Sequence, residues 1–242
     1  MLKVIVVDNY EEVSREAFRV VKEAVKLLPE PVLGLATGSS PIGLYKKLIA
    51  DHNAEGTSYA KVRTWNLDEY IGLPRSHDLS YWTFMHENLF EGIDIPEENV
   101  HIPCGDTEDP EAECRKYEES LKDVTIDLQV LGIGADGHIG FNEPGTPFDS
   151  LTHVAELTEQ TRRDNARFFE NDIDQVPTHA VTMGLATIMR ARKILVIAAG
   201  AAKADAVYGM LRGPVSENCP ASILQTHEDV TVILDKAAAY RL

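Results

Sequence analysis

The feature that most restricts the fold of this 242-residue chain is the alternation of short, dense apolar runs with longer amphipathic segments. Short apolar runs are typical of strands buried on both faces, and segments with a 3.6-residue apolar repeat are typical of the helices that cover them. The alternation predicts an α/β fold with an open, mostly parallel, doubly wound (Rossmann-like) sheet and helices on both faces. The predicted strands are residues 3–7, 31–36, 62–67, 126–132, 178–182, 193–199 and 230–235.

The amphipathic segments between these strands predict the covering helices. In the first of them, apolar residues from Val13 to Leu28 recur on one helical face, and Pro29 then prevents the helix from continuing. The predicted helices are residues 11–28, 41–51, 80–90, 109–122, 159–170 and 201–212. The sequence has no repeat, low-complexity tract or Pro/Ser-rich linker, so residues 1–242 are predicted to form a single domain.

The formal net charge of -16 restricts the class of partner. Proteins that bind nucleic acid need a surplus of Lys and Arg to displace counterions from phosphates, so we expect no nucleic-acid partner. A small anionic substrate would need a local positive potential created by a few cations and backbone N–H groups. Individual Lys and Arg residues near strand ends are therefore informative.

Cysteine usage and the absence of long apolar runs predict the cellular compartment. The three cysteines are Cys104, Cys114 and Cys219. They are odd in number, widely spaced and in no C-x-x-C pair, which favours free thiols over a disulfide framework or a zinc site. The apolar start from Met1 to Val7 is too short for a signal peptide, and no apolar run approaches membrane-spanning length. We expect a cytoplasmic protein with no membrane partner.

Polar segments follow four of the predicted strands directly. Ligands of open α/β sheets bind beyond the carboxyl ends of the strands, so polar residues at these positions carry more weight than elsewhere. The segments are Thr37–Ser40, Asp68–Tyr70, Gly132–Glu143 and Gly200–Lys203. Their shared placement predicts one site at this edge of the sheet.

Two of these segments suit an anion. Gly38-Ser39-Ser40 leads into a predicted helix, where N–H groups and hydroxyls can cradle a phosphate, although an ordinary N-capped turn has the same residues. Lys203 lies in a first helical turn, where acidic residues are usual, so it indicates a nearby anion or else a solvated surface cation. Arg167 has apolar neighbours and is more simply interpreted as a cation on a helix surface.

The other two segments contain groups for acid–base chemistry. Asp68 and Glu69 are an ordinary solvated pair unless burial raises a carboxyl pKa above its usual value of about 3.9. Asp136, His138 and Glu143 lie within one tightly turning, glycine-rich run, where two carboxylates can orient the imidazole and raise its basicity. The glycine spacing of this run does not match a dinucleotide fingerprint, which argues against a nicotinamide cofactor.

Four motifs together resemble the glucosamine-6-phosphate deaminase family. They are Thr37-Gly38-Ser39-Ser40-Pro41, Trp65 to Leu73, Asp136 to Pro144 and Asn171 to Pro177. The resemblance covers nearly the whole chain, and the Phe-Asn-Glu-Pro ending of the third motif is its most specific part. It implies conversion of glucosamine 6-phosphate and water to fructose 6-phosphate and ammonia in amino-sugar breakdown, with no organic cofactor and no catalytic metal.

The resemblance also implies roles for individual residues. His138, aligned by Asp136 and Glu143, would help to open the pyranose ring, and Asp68 would move the C2 proton to C1. Phosphate binding is implied for Gly38, Ser39, Ser40, Arg167 and Lys203.

One departure from the family concerns regulation. Larger, hexameric members bind an acetylated sugar phosphate allosterically through an Arg and a Lys, and the matching positions here are His153 and Ala155. The chain also ends at Leu242, without the longer tail of those members. We expect a non-allosteric enzyme that is monomeric or a low-order homo-oligomer. Residues 151–173, which are charge-rich, are expected to form a lid over the phosphate.

Two other functions compete with this interpretation. A 6-phosphogluconolactonase would use the same phosphate loops but would need no base for a C2 proton, and Asp68-Glu69-Tyr70 with Phe141-Asn142-Glu143 argues against it. A sugar-phosphate sensor of a transcription regulator would normally carry a DNA-binding segment, and the sequence shows no basic helix-turn-helix pattern. A pure binder would also have no need for the complete acid–base set.

Overall fold

The computed structural model describes residues 2–242 and contains two sheets. In chain order the strands are β1 (Leu2–Val7), β2 (Val32–Leu35), β3 (Arg63–Asn66), β4 (Asp68–Tyr70), β5 (Val100–His101), β6 (Leu128–Leu131), β7 (His153–Glu156), β8 (His179–Thr182), β9 (Ile194–Ala198) and β10 (Val230–Asp235). The larger sheet has seven strands in the order β1-β10-β9-β6-β2-β3-β5, and its neighbours pair in parallel. This arrangement confirms the predicted open, mostly parallel α/β sheet.

Helices cover both faces of the large sheet. They are α1 (Tyr10–Leu27), α2 (Ile42–Glu55), α3 (Tyr81–Asn88), α4 (Pro110–Ser120), α5 (Glu159–Asn165), α6 (Leu185–Ile188) and α7 (Ala204–Arg212), with short 3-10 turns between several elements. One apolar core lies between the sheet and α1 with α2, and the other lies between the sheet and α4, α6 and α7. None of the helices in the described chain combines the length and apolarity that crossing a bilayer requires.

Local signals explain where the helices begin and end. The side chain of Asn9 accepts a hydrogen bond from the N–H of Glu12 and caps α1, and Asp109 caps α4 in the same way just before Pro110. The predicted helices 159–170 and 201–212 are shorter than expected. Residues 166–168 and 201–203 form 3-10 turns instead of continuous α-helix.

A separate three-stranded antiparallel sheet, in the order β4-β8-β7, lies beside the large one. The prediction that residues 178–182 belong to the parallel sheet was therefore wrong. A short apolar strand looks the same whichever sheet buries it, so its sequence does not reveal its partner. Strands β4, β5 and β7 were not predicted. The first two have only three and two residues, too few to show a period, and β7 has only two apolar residues, Val154 and Ala155.

The chain changes direction across the large sheet between β6 and β2. From β2 it proceeds outward through β3 to β5, and from β6 it proceeds the opposite way through β9 to β10. A crevice forms at such a switch point beyond the carboxyl ends of the strands. The topology therefore brings the segments that follow β2, β3, β6 and β9 to one place.

Candidate active site

A cavity of about 1060 Å³ lies at the carboxyl ends of β2, β3, β6 and β9. All four polar strand-end segments of the sequence contribute to its wall. Of the predicted site residues, those that line it are Gly38, Ser39, Ser40, Asp68, His138, Arg167 and Lys203. Asp136 and Glu143 lie behind His138 and contact its ring.

Asp68 begins β4, where it pairs with Thr182 of β8. Its side chain is only 6% exposed and faces the cavity. Burial raises the pKa of Asp68 to about 8, the charge of Glu69 adds to this effect, and the nearby His138 opposes it. The carboxyl group can therefore gain and lose a proton near neutral pH.

Glu69, the next residue, has a different environment. Its carboxylate accepts hydrogen bonds of 2.9 Å from the backbone N–H groups of Tyr70, Tyr81 and Trp82. Burial raises the pKa of Glu69 to about 7, and these three hydrogen bonds hold the rise in check. Successive side chains of a strand point to opposite faces, so the carboxyl groups of Asp68 and Glu69 lie on opposite sides of β4. Asp68 lies in the cavity, whereas Glu69 anchors the start of α3.

Asp136, His138 and Glu143 form a compact charged cluster. The Nδ1 atom of His138 lies 2.8 Å from Oδ1 of Asp136 and 3.5 Å from Oε2 of Glu143. Burial by itself lowers the pKa of His138, but the two carboxylates outweigh it and raise that pKa to about 9. Burial raises the pKa of Asp136, but the hydrogen bond and charge of His138 lower it by more, so the pKa of this carboxyl is below its usual value. His138 is therefore a cation at neutral pH.

Glycines in the loop after β6 allow this cluster to form. A Cβ atom on Gly134 would lie 2.3 Å from ring atoms of His138, and Gly137 has a positive φ of 92° that other residues rarely adopt. The loop is fixed to the antiparallel sheet, because the N–H of Phe141 donates to Thr182 and the amide of Asn142 donates to the carbonyl of Met183. Glycine at position 134 therefore lets the loop backbone approach the His138 ring closely.

The same cluster is the group of described residues best spaced to hold a metal ion. The three potential ligand atoms of Asp136, His138 and Glu143 lie within 4.8 Å of one another. A metal at Nδ1 would have to displace a proton, and the raised pKa of His138 makes that displacement unfavourable. The arrangement suits proton exchange better than metal binding, and the expected absence of a metal stays a prediction.

A second group of residues in the cavity wall suits an anion. Gly38 has a positive φ of 81°, and the loop of Gly38, Ser39 and Ser40 leads into α2, whose first turn contains no acidic residue. A guanidinium nitrogen of Arg167 donates to Oγ of Ser39 at 3.2 Å. Burial lowers the pKa of Lys203, and the like charge of Arg167 adds to the effect while Asp164 opposes it. Two cations and a helix start therefore converge here.

Several cavity residues were not predicted from the sequence. Tyr10 donates to the carbonyl of Ser39 at 2.9 Å, and its oxygen accepts from the N–H of Gly43, which braces the loop. Asp235 accepts from the N–H of Gly200 at 3.0 Å and holds the turn before Lys203. Asp235 ends a predicted strand, so its strand-end position was a usable signal. Tyr81, Thr161 and Asn165 also line the cavity, and no local sequence pattern marks them.

Sequence comparison matches residues 8–233 to a family model described as glucosamine-6-phosphate isomerases/6-phosphogluconolactonase. The glucosamine-6-phosphate deaminase of Lysinibacillus sphaericus (strain C3-41) is 50% identical over 233 residues, which are 96% of this chain and 98% of that protein. The glucosamine-6-phosphate deaminase of Geobacillus sp. (strain WCH70) is 52% identical over 238 residues, 98% of this chain and 94% of that one. These relatives span essentially the same length of chain.

Comparison of structures gives a consistent result. A solved monomeric glucosamine-6-phosphate deaminase has a TM-score of 0.96 and 47% identity, covering 98% of this chain and 99% of its own. The 6-phosphogluconolactonase from Trypanosoma cruzi has a TM-score of 0.82 at 23% identity, covering 100% and 97%, and so shares the fold. The chain therefore belongs to the family of glucosamine-6-phosphate isomerases and 6-phosphogluconolactonases.

Proposed function

We propose that this chain is a single-domain glucosamine-6-phosphate deaminase, which converts glucosamine 6-phosphate and water to fructose 6-phosphate and ammonia in amino-sugar breakdown. The observation that carries the proposal is the buried Asp68 carboxyl, with a pKa of about 8, in the same cavity as the cationic His138 and an anion-binding end. Removal of a proton beside a carbonyl needs a desolvated base of this kind. Ester hydrolysis has no such requirement.

The first step opens the pyranose ring. Nδ1 of His138 faces the carboxylates of Asp136 and Glu143, which leaves Nε2 to exchange a proton with the sugar. His138 donates that proton to the ring oxygen as the bond from C1 to this oxygen breaks. The C1 hydroxyl passes its proton to the neutral imidazole and becomes the carbonyl. This regenerates the imidazolium, which Asp136 and Glu143 stabilise.

The second step moves hydrogen from C2 to C1. The new C1 carbonyl makes the C2 proton acidic, and Asp68 accepts it while His138 protonates the C1 oxygen, which gives an enolamine. Asp68 then returns the proton to C1, which leaves a carbon–nitrogen double bond at C2. Water adds to C2, and ammonia leaves to give the ketose. One carboxyl that changes protonation near neutral pH can perform both transfers.

Phosphate binding is assigned to Gly38, Ser39 and Ser40 together with Arg167 and Lys203. We expect Arg167→Ala to lower kcat/KM by about 10- to 100-fold, mainly through a higher KM, because a hydrogen bond to a charged group is lost. Steady-state ammonia release measures this effect.

The control is Arg19→Ala. Arg19 is an exposed cation on α1 that contacts Glu16 and is not among the residues that line the cavity. Its removal should leave both constants unchanged. A KM for Arg167→Ala equal to that of the unmodified protein would show that the phosphate lies elsewhere.

The activity is tested by offering two substrates to the purified protein. We expect ammonia and fructose 6-phosphate from glucosamine 6-phosphate, detected by a coupled assay, and no hydrolysis of 6-phosphogluconolactone. Lactone hydrolysis without ammonia release would favour the lactonase. Tight binding of sugar phosphates without turnover of either substrate would favour the sensor.

Regulation, assembly and the lid are parts of the same proposal. His153 and Ala155, in β7, replace the cations expected for an acetylated sugar phosphate, which supports a non-allosteric enzyme. A monomer or low-order homo-oligomer agrees with the monomeric state of the structural neighbour. The lid expected over residues 151–173 stays a proposal, and within it His153–Glu156 form β7, which is paired with β8.

A further inference from the structure

The two oxygens of the Glu143 carboxylate have different surroundings. Oε1 accepts a hydrogen bond of 2.5 Å from the hydroxyl of Thr161, with longer contacts of 3.3 and 3.4 Å from Thr158. Oε2 is buried and has no hydrogen-bond partner within residues 2–242. Oε2 lies 3.5 Å from Nδ1 of His138. Thr161 therefore holds one oxygen while the other remains available to the histidine.

Thr161 is not needed to begin its own helix. The cap of α5 is Thr158, whose hydroxyl accepts a hydrogen bond from the N–H of Thr161. The Thr161 side chain is buried, with the residue 3% exposed, and its hydroxyl points to Glu143. The helix would keep its cap without the Thr161 hydroxyl, but Glu143 would lose its shortest hydrogen bond.

The segment that carries Thr161 also extends to the anion-binding end. Arg167, six residues later, donates to Ser39, and Asn165 donates to the hydroxyl of Tyr70 at 2.9 Å. Arg162 donates to the carbonyls of Ile173 at 2.7 Å and of Val176 at 3.3 Å, which ties the segment into one unit. Thr161 and Arg167 therefore belong to one hydrogen-bonded segment.

We propose that Thr161 is a positioning residue that holds Glu143 so that its second carboxylate oxygen faces His138, an assignment that rests on the proposed deaminase activity. Thr161 lies on the same segment as Arg167, so this contact is close in the chain to a residue assigned to phosphate binding.

The test compares Thr161→Val with Thr161→Ser. Valine has the shape of threonine without the hydroxyl, whereas serine keeps it. We expect Thr161→Val to lower kcat about 10-fold with little change in KM, and Thr161→Ser to restore most of kcat. Steady-state ammonia release with glucosamine 6-phosphate gives both constants.

Thr187→Val is the matched control. Thr187 is also 3% exposed and donates to a carboxylate, that of Glu118, at 2.8 Å, but it is not among the cavity residues. Like Thr161→Val, this variant loses a buried hydrogen bond from a threonine hydroxyl to a glutamate carboxylate. We expect kcat of Thr187→Val to stay within about 2-fold of the unmodified enzyme, even where thermal unfolding shows a similar loss of stability.

A second measurement reports on the contact itself. Glu143 raises the pKa of His138, so a displaced carboxylate should lower the titration midpoint of the His138 ring. Nuclear magnetic resonance can follow this midpoint, with the His138 signal assigned by its absence in His138→Gln. We expect a lower midpoint in Thr161→Val and an unchanged one in Thr161→Ser and Thr187→Val.

An unchanged kcat in Thr161→Val, an unchanged His138 midpoint in that variant, or an equal loss of kcat in Thr187→Val would each overturn the assignment. Failure of the proposed activity has a different signature. In that case the unmodified protein itself releases no ammonia, while the His138 titration still reports whether Thr161 controls the contact.

Discussion

Asp68→Asn is expected to lower kcat for ammonia release by about 100- to 10,000-fold, the usual range for loss of a general base. Asparagine has nearly the same shape but cannot accept the C2 proton. Phosphate binding should be preserved, because it is assigned to the loop of Gly38 to Ser40, Arg167 and Lys203 and not to Asp68. Kinetics with glucosamine 6-phosphate and binding of fructose 6-phosphate measure the two effects separately.

The same substitution is expected to stabilise the protein at alkaline pH. The pKa of Asp68 is raised to about 8 in the folded state, so the folded protein holds this proton more tightly than the unfolded chain. The stability from this group is fully present below the unfolded pKa of about 4 and is lost as pH rises through about 8. A neutral Asn avoids this loss, so thermal unfolding of Asp68→Asn at pH 9 should occur at a higher temperature.

The opposite effects on activity and stability provide the internal control. An inactive variant that unfolds earlier would indicate damage to the fold instead of a missing base. Activity that survives Asp68→Asn would refute the proton transfer. The unmodified enzyme should also lose kcat/KM as pH falls through about 8, because protonated Asp68 cannot act as a base.

His138→Gln is expected to lower kcat by about 100-fold or more, because glutamine cannot transfer a proton to the ring oxygen. The loss of function should be confined to compounds whose pyranose ring must first be opened. The amino alditol phosphate made by reducing the open-chain substrate at C1 has no ring, so its affinity should change little. Inhibition by this compound, compared with kcat on the cyclic substrate, measures the difference.

His86→Gln is the matched control for His138→Gln. His86 also contacts a carboxylate, with Nε2 lying 3.1 Å from Glu97, but it is not among the residues that line the cavity. Its kcat should match that of the unmodified protein. Equal losses in the two variants, or a large loss of alditol binding in His138→Gln, would assign His138 a general structural or binding role.

The order of strands and helices followed from apolar periodicity, because a buried strand and an amphipathic helix each need their own repeat of apolar residues. The strand-end rule then selected four segments that line one cavity. Periodicity predicted a strand at residues 178–182 but not its sheet, since the sequence of a buried strand does not show which strand pairs with it. Periodicity failed for β4 and β5, which have only three and two residues, and for β7, which has only two apolar residues.

The residues of the candidate site also differ in whether the sequence could predict them. Asp136, His138 and Glu143 were predictable as a unit because they lie close together in the chain, and a short glycine-rich loop keeps such residues near one another. Thr161, Tyr81 and other cavity residues were not, since their positions depend on contacts across long stretches of chain. Asp68 and Glu69 looked equivalent in the sequence, and only the alternation of β4 gave them different environments.

Most of the elements, the parallel sheet and the motifs of the family could be inferred from the sequence, because periodicity, turn residues and short loops act over neighbouring residues. Only the folded chain shows that Asp68 is desolvated and that the Thr161 hydroxyl donates a hydrogen bond to Glu143. Burial and the approach of distant charges are properties of the packed chain. For that reason the acid–base character of this site emerges only when the sheet is assembled.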